Sequence, residues 1–185
     1  MTIVYMDECA RGVFFGDVYA GAVIWDPEKE INPPVKVNSW DSKKISAKKR
    51  KALSDYIKEN CVAWSIGTAN SKEIDKHNIL SAAMMAFHRA LDSINVPFDQ
   101  IYVDGNYFKP YCNDDDFIPH KCVIKGDSTH VVIGMASIIA KVAHDDYIEA
   151  LCNEFPELDE KYNLKKNMGY GTKAHINGIL KYGFS

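Results

Sequence analysis

The sequence predicts a single α/β domain built around a mixed sheet, and three observations carry that expectation. Short runs rich in Val, Ile, Tyr and Trp recur at strand length, beginning with Ile3, Val4 and Tyr5. Between them stand longer segments with apolar residues at helical spacing, such as Leu53, Tyr56 and Ile57. The resulting order, β-β-α-β-α-β-β-α, is that of a sheet with helices packed on it. A chain of 185 residues suffices for one domain, 1–185, with a substantial core.

The opening strand leads through Met6 into the adjacent acids Asp7 and Glu8. Side chains alternate faces along a strand, so these two converge only if the strand ends at them. Residues 17–25 form the second strand, and the proline-bearing stretch 26–34 reads as a loop. Ser46 is a candidate N-cap ahead of a helix over 49–60, and 61–69 is the third strand. Ser71 opens a short polar turn, followed by a long helix over 78–94 that closes before Pro97. Residues 101–105 repeat the opening theme, an apolar strand ending in Asp104 and then Gly105. Loop residues continue through Asp116, 120–125 is another strand, and 131–155 is one long helix carrying the small residues Ala136, Ser137 and Ala140.

Composition narrows the function. Hydrophobic content of 46% with 25% charged residues is that of a soluble globular protein. No apolar run approaches the ~20 residues that span a bilayer, so no membrane partner is expected. The amino terminus lacks the basic-then-apolar pattern of a signal peptide. Cys9, Cys61, Cys112, Cys122 and Cys152 are scattered and odd in number, which predicts a reducing, cytoplasmic location and neither a zinc site nor a disulfide framework. Net charge of −3 gives no global attraction to nucleic acid, so any such binding relies on local basic patches.

Asp7, Glu8, Asp104 and Asp127 all follow apolar strands or sit in glycine turns. Ligand sites in open α/β sheets gather at the carboxyl ends of strands. Four carboxylates together repel one another unless cations neutralise them. Oxygen ligands without a histidine cluster select Mg²⁺ or Mn²⁺, commonly as two ions serving in-line attack at phosphorus. Arg11, in a turn beside the acids, suits a substrate or charge-balancing role. Lys43 and Lys44, in Asp41-Ser42-Lys43-Lys44, are positioned to meet a phosphate backbone, although a solvated basic helix start explains them equally well. Tyr170 stands between Gly169 and Gly171, an arrangement that leaves a ring accessible for stacking and that is also a common turn.

These residues in this order resemble the ribonuclease HII family, the type 2 ribonucleases H, over nearly the whole chain. The resemblance runs through Asp7-Glu8-x-x-Arg11-Gly12, Asp41-Ser42-Lys43-Lys44, Glu73-Ile74-Asp75 with Asn78-Ile79-Leu80, and Val103-Asp104-Gly105. It continues through Lys125-Gly126-Asp127, the segment from Ala136 to Val142, and Gly169-Tyr170-Gly171-Thr172 with His175. It implies a ribonuclease H-like fold, a five-stranded mixed sheet flanked by helices, with a helical, substrate-contacting carboxyl-terminal part over about 156–185. It further implies a monomeric endonuclease that cuts the RNA strand of RNA–DNA hybrids and incises at ribonucleotides embedded in duplex DNA, leaving 5′-phosphate and 3′-hydroxyl ends. By that resemblance Asp7, Glu8, Asp104 and Asp127 bind the metals, Ala10, Arg11 and Gly12 contact the ribose 2′-hydroxyl, Lys43 or Lys44 contacts a phosphate, and Tyr170 contacts the neighbouring sugar. The chain departs from the family pattern at Ala10, where glycine is usual, at Val13 and Asp17, where prolines are usual, at His144 for arginine and at Met168 for lysine. The His-Arg-containing tail of many members is also lacking, which predicts weaker nucleic-acid affinity. If the first turn position needs positive φ, alanine strains it.

Overall fold

A computed structural model describes residues 1–113 and 116–184. Its sheet has five strands in the order β3-β2-β1-β4-β7. These are β1 (Ile3–Cys9), β2 (Val18–Ile24), β3 (Ala63–Ala69), β4 (Gln100–Asp104) and β7 (His120–Val123). β2 runs antiparallel to β1 and β3, whereas β4 runs parallel to β1 and β7 parallel to β4, so the sheet is mixed. Strands β5 (Tyr111–Asn113) and β6 (Asp116–Ile118) pair separately as a hairpin.

β1 lies at the centre because it is apolar on both faces. Val4 and Met6 join the core beneath helix α2 (Ser71–Asp92), while Tyr5 packs into the opposite core beneath α1 (Ala47–Asn60) and α4 (Val131–Glu154). All seven residues of β2 are buried, as expected of a strand covered on both sides. Close helix approach needs glycine in two strands. A Cβ on Gly21 would collide with the Ala136 carbonyl of α4, and one on Gly67 with the Ala86 carbonyl of α2. Beyond α4, helices α5 (Pro156–Tyr162), α6 (Leu164–Asn167) and α7 (Lys173–Tyr182) follow, and a third apolar cluster joins Ile148 and Cys152 of α4 to Tyr162 and Leu164.

Several element expectations require correction. β1 does not end at its acids; it continues through them to Cys9 because antiparallel pairing with β2 extends to Cys9↔Tyr19, while parallel pairing with β4 stops at Met6↔Val103. The polar turn at Ser71 is the first turn of α2, whose cap is Asn70, in a reciprocal box with Glu73. Helix α2 breaks at Asn78 (φ 67°), so 78–94 describes only its second half. Ser46 precedes α1 but makes no side-chain capping bond. The expected loop through Asp116 contains the β5–β6 hairpin, with Asp114 and Asp115 lying outside the described residues. The strand expected over 120–125 stops at Val123, and Gly126–Thr129 forms the short helix α3.

Gly21→Ala should therefore push α4 off the sheet and cost about 1–3 kcal/mol of unfolding free energy, the usual size of an overpacking penalty. Denaturant unfolding checks this, and an unchanged midpoint would mean that the helix does not approach β2 so closely.

Candidate active site

The end of the β1–β4 pairing opens the sheet at the point where the acids emerge. Asp7, on the α4 face of β1, is only 4% exposed. Its Oδ1 accepts the Glu8 amide at 2.7 Å, and the Ser137 hydroxyl of α4 also hydrogen-bonds the carboxyl. Asp104 ends β4, and its Oδ1 accepts the Gly126 amide at 2.5 Å and the Asp127 amide at 3.4 Å. A left-handed Lys125 (φ 56°) turns the chain from β7 into α3 and buries Asp127 in the first turn. The strand–acid and glycine–acid sequences thus converge at one end of the sheet.

The electrostatics are those of a carboxylate cluster short of positive charge. Burial is the main reason that the Asp7 carboxyl titrates well above the usual range, reinforced by Glu8, Asp104 and Asp127 and opposed by Ser137. Burial and Asp127 likewise raise Asp104, against the pull of the Gly126 and Asp127 amides. Two cations reach the cluster. Arg11 Nη1 lies 2.8 Å from Glu8 Oε1, and Lys43 Nζ lies 3.7 Å from Asp127 Oδ2. Desolvation lowers the Lys43 amine, but the combined field of Asp127, Asp7, Asp41 and Asp104 outweighs it and raises the pKa. Among the described residues, no three Asp, Glu, His or Cys side chains are already drawn together as a metal cage. Mutual repulsion and the diversion of Glu8 and Asp127 to Arg11 and Lys43 account for that spacing. The donors are nonetheless all hard oxygens, and among the described residues the buried Asp7 has no ion-pair partner of its own, so the residues fit a divalent cation.

A strap over residues 40–44 holds Lys43 in place. Asp41 caps a 3₁₀ turn (Ser42–Lys44) by accepting the Lys43 amide at 3.0 Å. Ser128 of α3 donates to Asp41 Oδ2 at 3.3 Å, and the Ser42 and Ser137 hydroxyls are 2.9 Å apart. Trp40 lies directly over Gly134, where a Cβ would come within 2.6 Å of its own. Lys44 pairs with Asp41 at 3.1 Å, so Lys43, not Lys44, is the lysine turned to the carboxylates.

Beside the acids is a cavity of about 230 Å³ whose lining includes Glu8, Ala10, Arg11, Gly12, Lys43, Lys141 and Tyr170. Ala10 has φ 67°, the left-handed value that favours glycine, and is 2% exposed. The Tyr170 ring is half-buried, with Lys141 Nζ 4.8 Å from its centroid. Burial pushes its hydroxyl up to about 12, with Cys9 adding to the rise and a hydrogen bond from the Ala10 backbone opposing it. Gly169 and Gly171 serve a different purpose from leaving that ring open. A Cβ on Gly169 would strike the Phe15 carbonyl, and one on Gly171 would meet the Phe14 ring at 2.7 Å, so both admit the 13–15 loop.

All ten site residues expected from sequence therefore lie at or next to one cleft, with Lys44 turned aside. Sequence reasoning missed the support beneath them. Asp145 holds Arg50 (3.2 Å), Lys141 (2.8 Å) and His144 (3.1 Å), and Arg50 also donates to the Ser42 and Ile45 carbonyls. Only the Lys141–Asp145 spacing of four was readable as a helical ion pair.

A family model described as Ribonuclease HII matches residues 5–185. A ribonuclease HII of Christiangramia forsetii is 42% identical over 183 residues, covering 99% of this chain and 86% of the relative. The crystal structure of ribonuclease H2 from Pyrococcus horikoshii OT3 superposes with a TM-score of 0.74 at 22% identity, over 99% of this chain and 89% of that one. Bst-RNase HIII in complex with Mn²⁺ gives a TM-score of 0.69 at 16% identity, over 98% of this chain and 70% of that one.

If the cluster lacks only cations, millimolar Mg²⁺ or Mn²⁺ should raise the melting temperature of the wild type. A ligand at 100 times its dissociation constant adds about 2.7 kcal/mol. Asp7→Asn, which removes a buried charge, should melt higher than the wild type without metal and gain less from adding it. Equal metal-induced shifts for the two proteins in differential scanning calorimetry would exclude Asp7 from the metal site.

Proposed function

Because the chain belongs to the ribonuclease HII family and is a type 2 ribonuclease H, we propose that its four-carboxylate cleft cuts at ribonucleotides by a two-metal-ion mechanism. The proposed substrates are the RNA strand of RNA–DNA hybrids and single ribonucleotides embedded in duplex DNA. The observation that carries this reading is the convergence of Asp7, Glu8, Asp104 and Asp127 beside a cavity edged by Ala10, Arg11, Gly12 and Tyr170.

Asp7, Glu8, Asp104 and Asp127 would hold Mg²⁺ or Mn²⁺, and the Mn²⁺ in the Bst-RNase HIII complex supports that ion class. Bound there, a pair of such ions supplies activation of the attacking water and stabilisation of the departing 3′-oxygen. This chain's own residues do the positioning. The 10–12 turn presents backbone groups toward the cavity, where a ribose 2′-hydroxyl, the group that separates RNA from DNA, can be read. Tyr170 supplies a ring for the adjoining sugar, with Lys141 Nζ 4.8 Å from its centroid and lining the same cavity. Lys43 is exposed at its amine, held toward the cluster by Asp127, and suited to the scissile phosphate once that carboxylate is otherwise engaged. Arg11 can leave Glu8 in the same way. The helices after α4 pack on it and complete the cavity through Tyr170, which supports one catalytic domain over 1–185. No helix among the described residues is long and apolar enough to cross a membrane. The scattered free cysteines support a reducing, cytoplasmic setting, and the working form proposed is a monomer.

Asp104→Asn should abolish cleavage of a duplex carrying one ribonucleotide, in Mg²⁺ or Mn²⁺, while leaving the fold intact. The wild-type products should carry 5′-phosphate and 3′-hydroxyl ends. Full turnover by the mutant would remove Asp104 from the mechanism.

Ala10 at φ 67° is strained, and a methyl on the recognition turn tilts or displaces the peptide groups next to the cavity. Ala10→Gly should stabilise the protein by up to about 1 kcal/mol through relief of that strain. It should also raise, by up to about tenfold, the preference for a single embedded ribonucleotide over a continuous hybrid, the worth of one better-made hydrogen bond. The ratio of kcat/KM on the two duplexes checks it, and a ratio that stays level or falls would show that the turn reads the hydroxyl without glycine.

A further inference from the structure

Phe14 is a large apolar side chain kept in water at the rim of the cleft. It is 61% exposed, yet its backbone is fixed at two points: its amide donates to the Gly169 carbonyl at 2.8 Å, and its neighbour Val13 bridges Tyr170. Gly171 forms the floor beneath the ring, since any Cβ there would fall 2.7 Å from it, and the His175 ring stands 6.1 Å away on the other side. These two contacts cover less than half of the side chain and leave an apolar face in water beside the 10–12 turn.

Its place gives the occupant. Phe14 follows Gly12 by two residues, and two residues of extended chain reach at most about 7 Å. That equals about two nucleotide steps along a duplex at 3.4 Å per step. A duplex seated with a ribose against Ala10, Gly12 and Tyr170 therefore has its neighbouring nucleotides within reach of this ring. We propose that Phe14 is a substrate-contacting residue, its ring packing against the sugar or base face of the duplex within two nucleotides of the cut. This rests on the functional reading above and adds to it a binding determinant ahead of the chemistry. The ring would widen the apolar surface that Tyr170 begins. Its Gly171 floor and backbone ties mean that little side-chain freedom is lost on binding.

The test is steady-state cleavage in Mg²⁺ of a duplex with one embedded ribonucleotide, beside equilibrium binding of the same duplex in EDTA. Wild type, Phe14→Ala and Phe14→Tyr are compared, with melting temperatures for all three. A ring packed on nucleic acid changes affinity by about five- to one-hundred-and-fifty-fold. Phe14→Ala should raise KM and the EDTA dissociation constant by a factor in that range with kcat within twofold, and Phe14→Tyr should stay near wild type. All three should melt alike, because the side chain is mostly in water. Wild-type KM and binding in Phe14→Ala, while the wild type cleaves, would overturn the role of Phe14 and leave the nuclease assignment standing. An equal loss in Phe14→Ala and Phe14→Tyr, or one matched by a drop in melting temperature, would reduce Phe14 to loop support and overturn the inference. A wild type that binds the duplex without cutting it would sink the nuclease reading while the binding arm still decides Phe14. One that binds no duplex would sink both.

Discussion

Asp7 is a carboxylate held almost out of water in the central strand, in the field of three other acids. At an effective dielectric of about 20, two like charges about 4 Å apart repel by about 4 kcal/mol. A domain has only about 5–15 kcal/mol of net stability, so it cannot carry several such repulsions uncompensated. The surroundings read as a set of partial answers. The Glu8 amide and Ser137 hydroxyl turn toward Asp7, two amides turn toward Asp104, and single exposed cations reach Glu8 and Asp127. The two cations are exposed and screened, and with the amide and hydroxyl donors they still leave two carboxyls raised above their ordinary range. A divalent cation held there, as proposed above, would offset that residual repulsion and so couple metal affinity to folding.

The same need fixes the position of α4. Ser137 can reach Asp7 only if the helix lies close against the sheet, and Gly21 permits that approach at Ala136, one residue earlier. Gly134 then admits Trp40, and with it the strap that carries Lys43. Small residues on α4 thus act twice, once toward the sheet and once toward the strap. Four residues further along, Lys141 leans on Tyr170 and is anchored by Asp145, which also holds Arg50 beneath the strap. One helix sets the depth of the acids, the height of the lysine and the tilt of the tyrosine.

Much of this was legible in the sequence because it is local. Apolar runs gave the sheet strands to within a few residues, and Asp104 before Gly105 and Gly126 before Asp127 marked chain reversals next to acids. What remained illegible depends on pairing partners. Nothing in Asp7-Glu8 tells that β2 carries the strand on to Cys9 after β4 has stopped, because register is a property of two strands. The β5–β6 hairpin is three residues a side, too short for any alternation to register. The glycines around Tyr170 were misjudged for the same reason. Their purpose is set by Phe14 and Phe15, some 155 residues earlier in the chain, and not by the ring between them. Asp145 gathers its partners from two helices, and only Lys141, four residues earlier on its own helix, shows as a helical spacing.

The contact between the first and last parts of the chain bears most directly on selectivity. The 13–15 loop leaves the recognition turn and immediately engages 169–171 through the Phe14 amide, the Val13–Tyr170 bridge and the two glycine floors. The Tyr170 hydroxyl in turn takes a hydrogen bond from the backbone of Ala10. The turn and the ring proposed to face the 2′-hydroxyl and its sugar therefore share one hydrogen-bonded unit. A displacement of either moves the other. The strain stored at Ala10 acts on this unit, and through Arg11, which pairs with Glu8 at 2.8 Å, it also reaches the edge of the acid cluster. On the proposed function, recognition and chemistry are therefore joined at one pair, Arg11 and Glu8, and a change in the turn bears on both.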